Sequence, residues 1–229
     1  SAASDLYKRQ VRGYVDTENY TYGELFNEIN ANTGGINCGV EVFDRADSTE
    51  EFQAMFSVRG KALYTKMDFL FKMIGEILNS SKLEDTKRLY EIVASVKSRA
   101  QVNLTGAGHS TAVLRAAAYS SPMAAFQDEM AGIGYYQFIE KLEKDFEQRK
   151  EETVEELCKL MKKILRPENF MISYTGERES LETVQKLAGA VKAGLGTEPV
   201  EKSEEKLTCT KKNEGFKTSG QVQYCLLYT

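Results

Sequence analysis

The chain has 229 residues, of which 41% are hydrophobic and 28% charged, and its net charge is −4. This size and balance predict a globular protein with a sizeable core, made of one domain or of one domain and part of another. Acidic and basic residues are mixed along the chain, which argues against a nucleic-acid partner. No apolar run approaches the roughly 20 residues that span a bilayer, so we expect no membrane partner.

The cysteines and the N-terminus predict where the protein resides. The four cysteines lie far apart and form no C-x-x-C pair. The first ten residues, SAASDLYKRQ, lack the apolar stretch of a secretory signal. Both features predict an intracellular protein with reduced thiols. Residues 1–3 have the composition of a cloning remnant and are set apart from the fold.

The first part of the chain predicts a helix followed by a β-hairpin. Residues 22–31 carry apolar side chains at helical spacing, and Gly34 and Gly35 end that helix because glycine accepts the left-handed conformation. Two runs of alternating apolar residues follow, one beginning at Ile36 and one at Phe52. The polar residues 44–49 between them predict a turn, so the two runs form an antiparallel pair.

Amphipathic helices dominate the rest of the chain. Apolar stripes predict helices in residues 63–78, 89–100, 112–119, 138–146, 154–165 and 181–191. Pro122 is predicted to open a further helix, because proline suits a first helical turn. Residues 170–174 alternate as a strand, residues 194–213 resemble a linker, and residues 216–224 are strand-like again. This grouping predicts an α+β fold, in which an antiparallel β-sheet is covered by several α-helices.

Candidate catalytic residues are few. The single histidine, His109, argues against a catalytic zinc site, because zinc hydrolases usually need two or more histidines. We interpret it as a solvated or helix-capping residue. Ser110 lies beside it without a G-x-S-x-G elbow, and Cys38 and Cys158 fall on predicted apolar faces, where cysteine usually packs. We therefore assign no catalytic residue and no metal ligand.

An acidic cluster surrounds the predicted hairpin turn. Its members are Glu41, Asp44, Asp47, Glu50 and Glu51. Acidic oxygens can bind calcium, but the spacing of an EF-hand loop is absent. We interpret the cluster as a solvated turn.

Two motifs resemble a known family. The first is YTYGELFNEI at residues 20–29, leading into TGGI at residues 33–36. The second is RAAAYSSP at residues 115–122, continuing to GIGYYQFI at residues 132–139. Both resemble the C-terminal half of presequence-protease-like members of the insulinase (pitrilysin) family of zinc metalloproteases.

The resemblance implies a place for this chain in a larger protein. Such proteases contain four homologous α+β domains in two halves around a chamber, and the first domain binds zinc through an H-x-x-E-H motif. The corresponding stretch here, about residues 4–14, contains no histidine. Residues 4–194 therefore resemble the third, degenerate domain without its opening strands. Residues 195–213 would be a linker, and residues 214–229 the first strand of a truncated fourth domain.

The resemblance also implies a function. We expect a non-catalytic, chamber-forming part of a zinc endopeptidase that degrades unfolded peptides, inactive alone, with zinc bound by an upstream domain of the parent. Its partners would be the other domains and unfolded peptides, in the cytoplasm of a bacterium or an organelle of a eukaryote. A strand formed by Gly35, Ile36, Asn37 and Cys38 would line the chamber and pair with extended peptides, or alternatively only pack in the sheet.

Two other interpretations remain open at this point. The chain could be a non-enzymatic member of the same fold, like the non-catalytic partner subunits of processing peptidases. An upstream H-x-x-E-H motif followed by a distant glutamate would distinguish the protease from that alternative. The chain could also be an independent helical interaction domain, which predicts a complete sheet and a well-folded monomer.

Overall fold

The computed structural model describes residues 15–200, 207, 209–218 and 223–224. Across these residues it contains eight α-helices and one two-stranded antiparallel sheet. The helices are α1 (Tyr22–Asn32), α2 (Met67–Asn79), α3 (Thr86–Gly106), α4 (Gly108–Ala117), α5 (Pro122–Ala131), α6 (Ile133–Lys144), α7 (Phe146–Ile164) and α8 (Leu181–Ala193). The strands are β1 (Ile36–Arg45) and β2 (Ser48–Gly60). The predicted α+β class is confirmed.

The first helix is fixed at its start by a capping box. The Thr21 hydroxyl accepts a hydrogen bond from the backbone N–H of Glu24 at 3.3 Å, and the Glu24 carboxylate accepts one from the Thr21 N–H at 2.9 Å. These two bonds satisfy backbone donors that the first helical turn leaves without partners. Leu25 and Ile29 then turn into the core, as the apolar spacing predicts.

The turn from α1 into β1 depends on one glycine. Gly35 has a φ of 106°, in the left-handed region that favours glycine. Gly34 donates a backbone hydrogen bond to the Lys61 carbonyl at 2.7 Å, and Lys61 donates back to the Gly35 carbonyl at 3.3 Å. The chain is therefore hydrogen-bonded to Lys61, the residue after β2, just before β1 begins.

The predicted hairpin is confirmed, with a tighter turn than expected. β1 pairs with β2 from Ile36 opposite Gly60 to Arg45 opposite Ser48, with one irregularity between Asp44 and Arg45. Residues 44–49 were predicted as a turn, but only residues 46 and 47 lie outside the two strands. The hairpin also packs against α5, where the rings of Phe52 and Phe126 lie 5.2 Å apart.

The helices form a body with one apolar cluster at its centre. α3 packs against α6 and α7, while α2 packs against α1 and α8. The cluster takes side chains from the predicted stripes of most elements, among them Leu25, Ile36, Met73, Val93, Ile139, Leu157 and Val184. Burial of these stripes stabilises the helices more than their intrinsic propensity does.

One predicted helical run is divided differently from expectation. The spacing of Phe138, Leu142 and Phe146 predicts one continuous segment, but α6 ends at Lys144 and α7 begins at Phe146. Apolar spacing continues across the break because Leu142 and Phe146 both enter the core. Pro122 opens α5 as predicted, with the Ser121 hydroxyl accepting from the Ala124 N–H at 3.3 Å.

The predicted strand at residues 170–174 is wrong. Residues 170–175 are in no helix or strand, and Met171 is 71% exposed. Alternation of apolar residues predicts a strand only where another backbone is available to pair with it, and no strand among the described residues does so. Tyr174 nevertheless packs against the core cluster.

The structure describes only part of the residues on which the C-terminal predictions were made. Of the strand-like run at residues 216–224, residues 216–218 and 223–224 are described, and they are in no helix or strand. The remaining residues of that run lie outside the described part of the chain. None of the described helices is long and apolar enough to cross a membrane.

Candidate functional site

The predicted peptide-pairing strand lies at the base of the hairpin. Ile36 and Cys38 are buried in the core cluster, and Asn37 between them is exposed, as alternation in a strand requires. Gly35 precedes them in its left-handed turn. These four residues contribute backbone and packing, and the Cys38 thiol is buried in the core as a packing group.

The other cysteine considered as a nucleophile has the wrong acidity for that role. Cys158 is half-buried on α7 and packs against the core cluster. Burial raises the pKa of its thiol, with a further increase from Glu84 that Lys162 partly offsets. A raised pKa keeps the thiol protonated at neutral pH, whereas a reactive cysteine needs the thiolate.

His109 and the acidic turn also lack the geometry of a catalytic centre. His109 is exposed in the first turn of α4, with its ring 5.9 Å from that of Tyr224. At the hairpin, Arg45 pairs with Asp47 at 3.0 Å and with Glu51 at 3.1 Å. Within the described part of the chain, no group of three or more His, Cys, Asp or Glu side chains could hold a metal ion.

The most highly organised polar site is one that the sequence did not predict. Asp128, on α5, is buried, and its carboxylate faces the start of α6. One oxygen accepts a hydrogen bond from the Ile133 N–H at 3.0 Å, and the other accepts from the Gly134 N–H at 3.1 Å. Asp128 thus caps α6 from the preceding helix, where a negative charge is favoured by the helix dipole.

Arg115, on α4, completes this site from the other side. Its Nη1 atom donates to Asp128 Oδ2 at 2.6 Å, and the two side chains are 16% and 2% exposed. A buried carboxylate needs such a partner, because an unpaired charge in the interior is costly. The ion pair therefore joins α4, α5 and α6 at one point.

A second carboxylate reaches the free side of the same guanidinium. Arg115 Nε donates to Glu214 Oε1 at 2.6 Å, and the Tyr119 hydroxyl donates to the same oxygen at 2.5 Å. The hydrogen bond from Arg115 holds the pKa of Glu214 below its usual range, although partial burial opposes the shift. The Phe216 ring lies 5.7 Å from Arg115 Cζ. Arg115, Tyr119, Asp128 and Glu214 are called the Arg115 cluster below.

The glycines of the second motif are required by this packing. A Cβ atom on Gly132 would lie 2.9 Å from Asp128 Cα, and one on Gly134 would lie 2.9 Å from Asp128 Oδ2. Neither distance is tolerated by real side chains. Gly132 and Gly134 follow Asp128 closely in the sequence, and glycines there indicate that another group approaches the backbone closely. They were the signal in the sequence that could have revealed the Arg115 cluster.

Comparison with known proteins identifies the family of the chain. A family model described as "Peptidase M-16C associated" matches residues 5–142, more than half of the chain. This chain belongs to that peptidase-associated family. Both motifs of the peptidase-associated chain lie within the matched residues. The predicted resemblance to the C-terminal region of presequence-protease-like members of the insulinase family is confirmed.

Several relatives of the peptidase-associated chain are much longer proteins. Protein HypA of Clostridium perfringens is 31% identical over 214 residues, which are 93% of this chain and 22% of that relative. The mitochondrial presequence protease of Yarrowia lipolytica is 29% identical over 136 residues, 59% of this chain and 14% of the relative. Presequence protease 1 of Arabidopsis thaliana, chloroplastic/mitochondrial, is 25% identical over 172 residues, 75% and 16% of the two chains. The peptidase-associated chain thus spans less than a quarter of the length of these relatives.

Proposed function

We propose that this chain is a non-catalytic part of a larger zinc-dependent endopeptidase and forms part of the wall of a chamber that encloses unfolded peptides. The observation that carries the proposal is that residues of both family motifs make structural contacts within the fold. The first motif supplies the capping box at Thr21 and Glu24, and the second supplies Arg115 and Tyr119 of the Arg115 cluster. Both are what a scaffold requires.

The relatives support the same assignment. Two of them are presequence proteases by name, and the matched family is described as associated with a peptidase. In this proposal zinc would supply the hydrolytic chemistry from another domain of the parent. The names of the relatives also favour an organelle as the location in a eukaryote, and we infer the cytoplasm in a bacterium.

In this proposal the base of β1 is the surface that faces the peptide. Ile36 and Cys38 fix the strand to the core, and Asn37 projects outward between them. An extended peptide would lie along Gly35 to Cys38 and be held through main-chain hydrogen bonds, which tolerate many sequences. The chain's own contribution is to bind and orient the peptide, not to cleave it.

The first test is chemical. We expect the purified 229-residue chain to contain no stoichiometric zinc by elemental analysis and to show no chelator-sensitive cleavage of an unstructured fluorogenic peptide. One zinc per chain together with chelator-sensitive turnover would contradict the proposal. It would also direct attention to His109, Cys38 and the acidic turn as ligands.

The second test concerns the chamber surface and uses the parent protease. A photo-crosslinking amino acid at Asn37 should label a bound unfolded peptide when the sample is irradiated. The same amino acid at Gln148, which is exposed on α7, is the matched control and should give no label. Equal labelling at the two positions, or none at Asn37, would count against a peptide-facing role for β1.

A further inference from the structure

A strap of chain, residues 209–218, crosses the outer side of α4 without forming a helix or strand. Residues 210–218 are exposed, and even Phe216 is 44% exposed. The strap therefore buries little apolar surface, which is the usual source of binding free energy. Its strongest contacts with the body are those that Glu214 makes with Arg115 and Tyr119.

Arg115, which Glu214 contacts, already has a charged partner without the strap. Arg115 is already held by Asp128, and Asp128 is in turn held by the backbone at the start of α6. If Glu214 leaves, the buried Arg115–Asp128 pair remains balanced in charge, so no unpaired ion is left in the interior. Releasing Glu214 therefore leaves the Arg115–Asp128 pair intact.

A second contact lies further along the chain. The Tyr224 ring packs beside His109 at 5.9 Å and lies so close to Gly108 that a Cβ atom there would be 2.5 Å from the ring. Glu214 and Tyr224 thus lie against the last turn and the start of α4. Both of these described residues therefore contact the protein at α4.

We propose that the ion pair of Glu214 with Arg115 and its hydrogen bond from Tyr119, together called the clip, hold the strap reversibly. The clip can break while the helical body stays folded. The clip makes α4 a docking element for chain that follows the helical body. This inference rests on the contacts that Glu214 and Tyr224 make with α4, and it stands whether or not the chain belongs to a peptide chamber. Salt should weaken the clip, because its charges are close to the surface and are screened.

Limited digestion with trypsin tests the clip, because Lys211, Lys212 and Lys217 flank Glu214 in the strap. We expect E214Q to accelerate cleavage at these lysines about tenfold, since a charge-assisted hydrogen bond is replaced by a neutral one. The melting temperature of the body should stay unchanged. E198Q, which changes an exposed glutamate before the strap, is the matched control and should behave as the original chain.

Salt dependence separates an electrostatic clip from general loosening. Raising the salt from about 0.05 M to about 1 M should accelerate cleavage of the strap in the original chain but not in E214Q. Unchanged cleavage in E214Q would overturn the proposal. A large fall of the melting temperature in E214Q would also overturn it, because the strap would then be part of the folded body.

Discussion

Replacing Asp128 with alanine is expected to lower the free energy of unfolding by about 3–5 kcal/mol. The substitution removes the acceptor for the Ile133 and Gly134 N–H groups and leaves the mostly buried Arg115 without its inner partner. Uncompensated buried groups cost more than the contact itself, because they have also lost water. The start of α6 and its junction with α4 and α5 should loosen together.

Urea unfolding followed by circular dichroism measures this loss. D128N should be destabilised less than D128A, because one amide oxygen can still accept a hydrogen bond from the start of α6. E129A is the matched control, since Glu129 is the exposed neighbour on the same helix, and it should change stability by less than about 0.5 kcal/mol. If D128A and E129A have the same effect, the Arg115 cluster does not hold the three helices together.

Phe146→Ala is the second substitution with a large expected effect, a destabilisation of about 3–5 kcal/mol. Phe146 begins α7, is 1% exposed and lies 5.3 Å from the Tyr90 ring on α3. Its removal would leave a cavity where α7 turns into the core. Thermal or urea unfolding of the variant checks the size of the loss.

Phe138 provides the control for this experiment. It is a phenylalanine of the preceding helix, α6, but it is 38% exposed. Phe138→Ala should therefore cost clearly less than Phe146→Ala, because less apolar area returns to water. Similar losses from both variants would mean that α7 does not pack through Phe146 as the structure shows.

Local patterns were enough to predict most of the elements. The helical stripe of α3 and the proline start of α5 depend on neighbouring residues, so they are visible in the sequence. The hairpin also follows from alternation and a short polar turn, since its strands are adjacent in the chain. The base of β1 was predicted as a chamber strand, and its burial pattern gives it one exposed side chain, Asn37, but its role stays a prediction.

Features that depend on distant partners were not predictable. The alternation at residues 170–174 is present, yet strand formation also requires a neighbouring backbone, which alternation does not encode. The Arg115 cluster joins side chains that are 99 residues apart in the case of Arg115 and Glu214. Arg115 carries no local sign of which carboxylates it will meet, and only the glycines after Asp128 indicated a close approach.

The contact between α2 and α8 has a consequence for folding during synthesis on the ribosome. α8 is made long after α2, yet it covers one side of that helix, where Asn79 lies close to Gly194. At roughly 5–20 residues per second, α2 waits on the order of ten seconds for its last neighbour. During that interval the apolar side of α2 that α8 later covers stays exposed. A chaperone that binds exposed apolar surface could protect it until α8 has emerged.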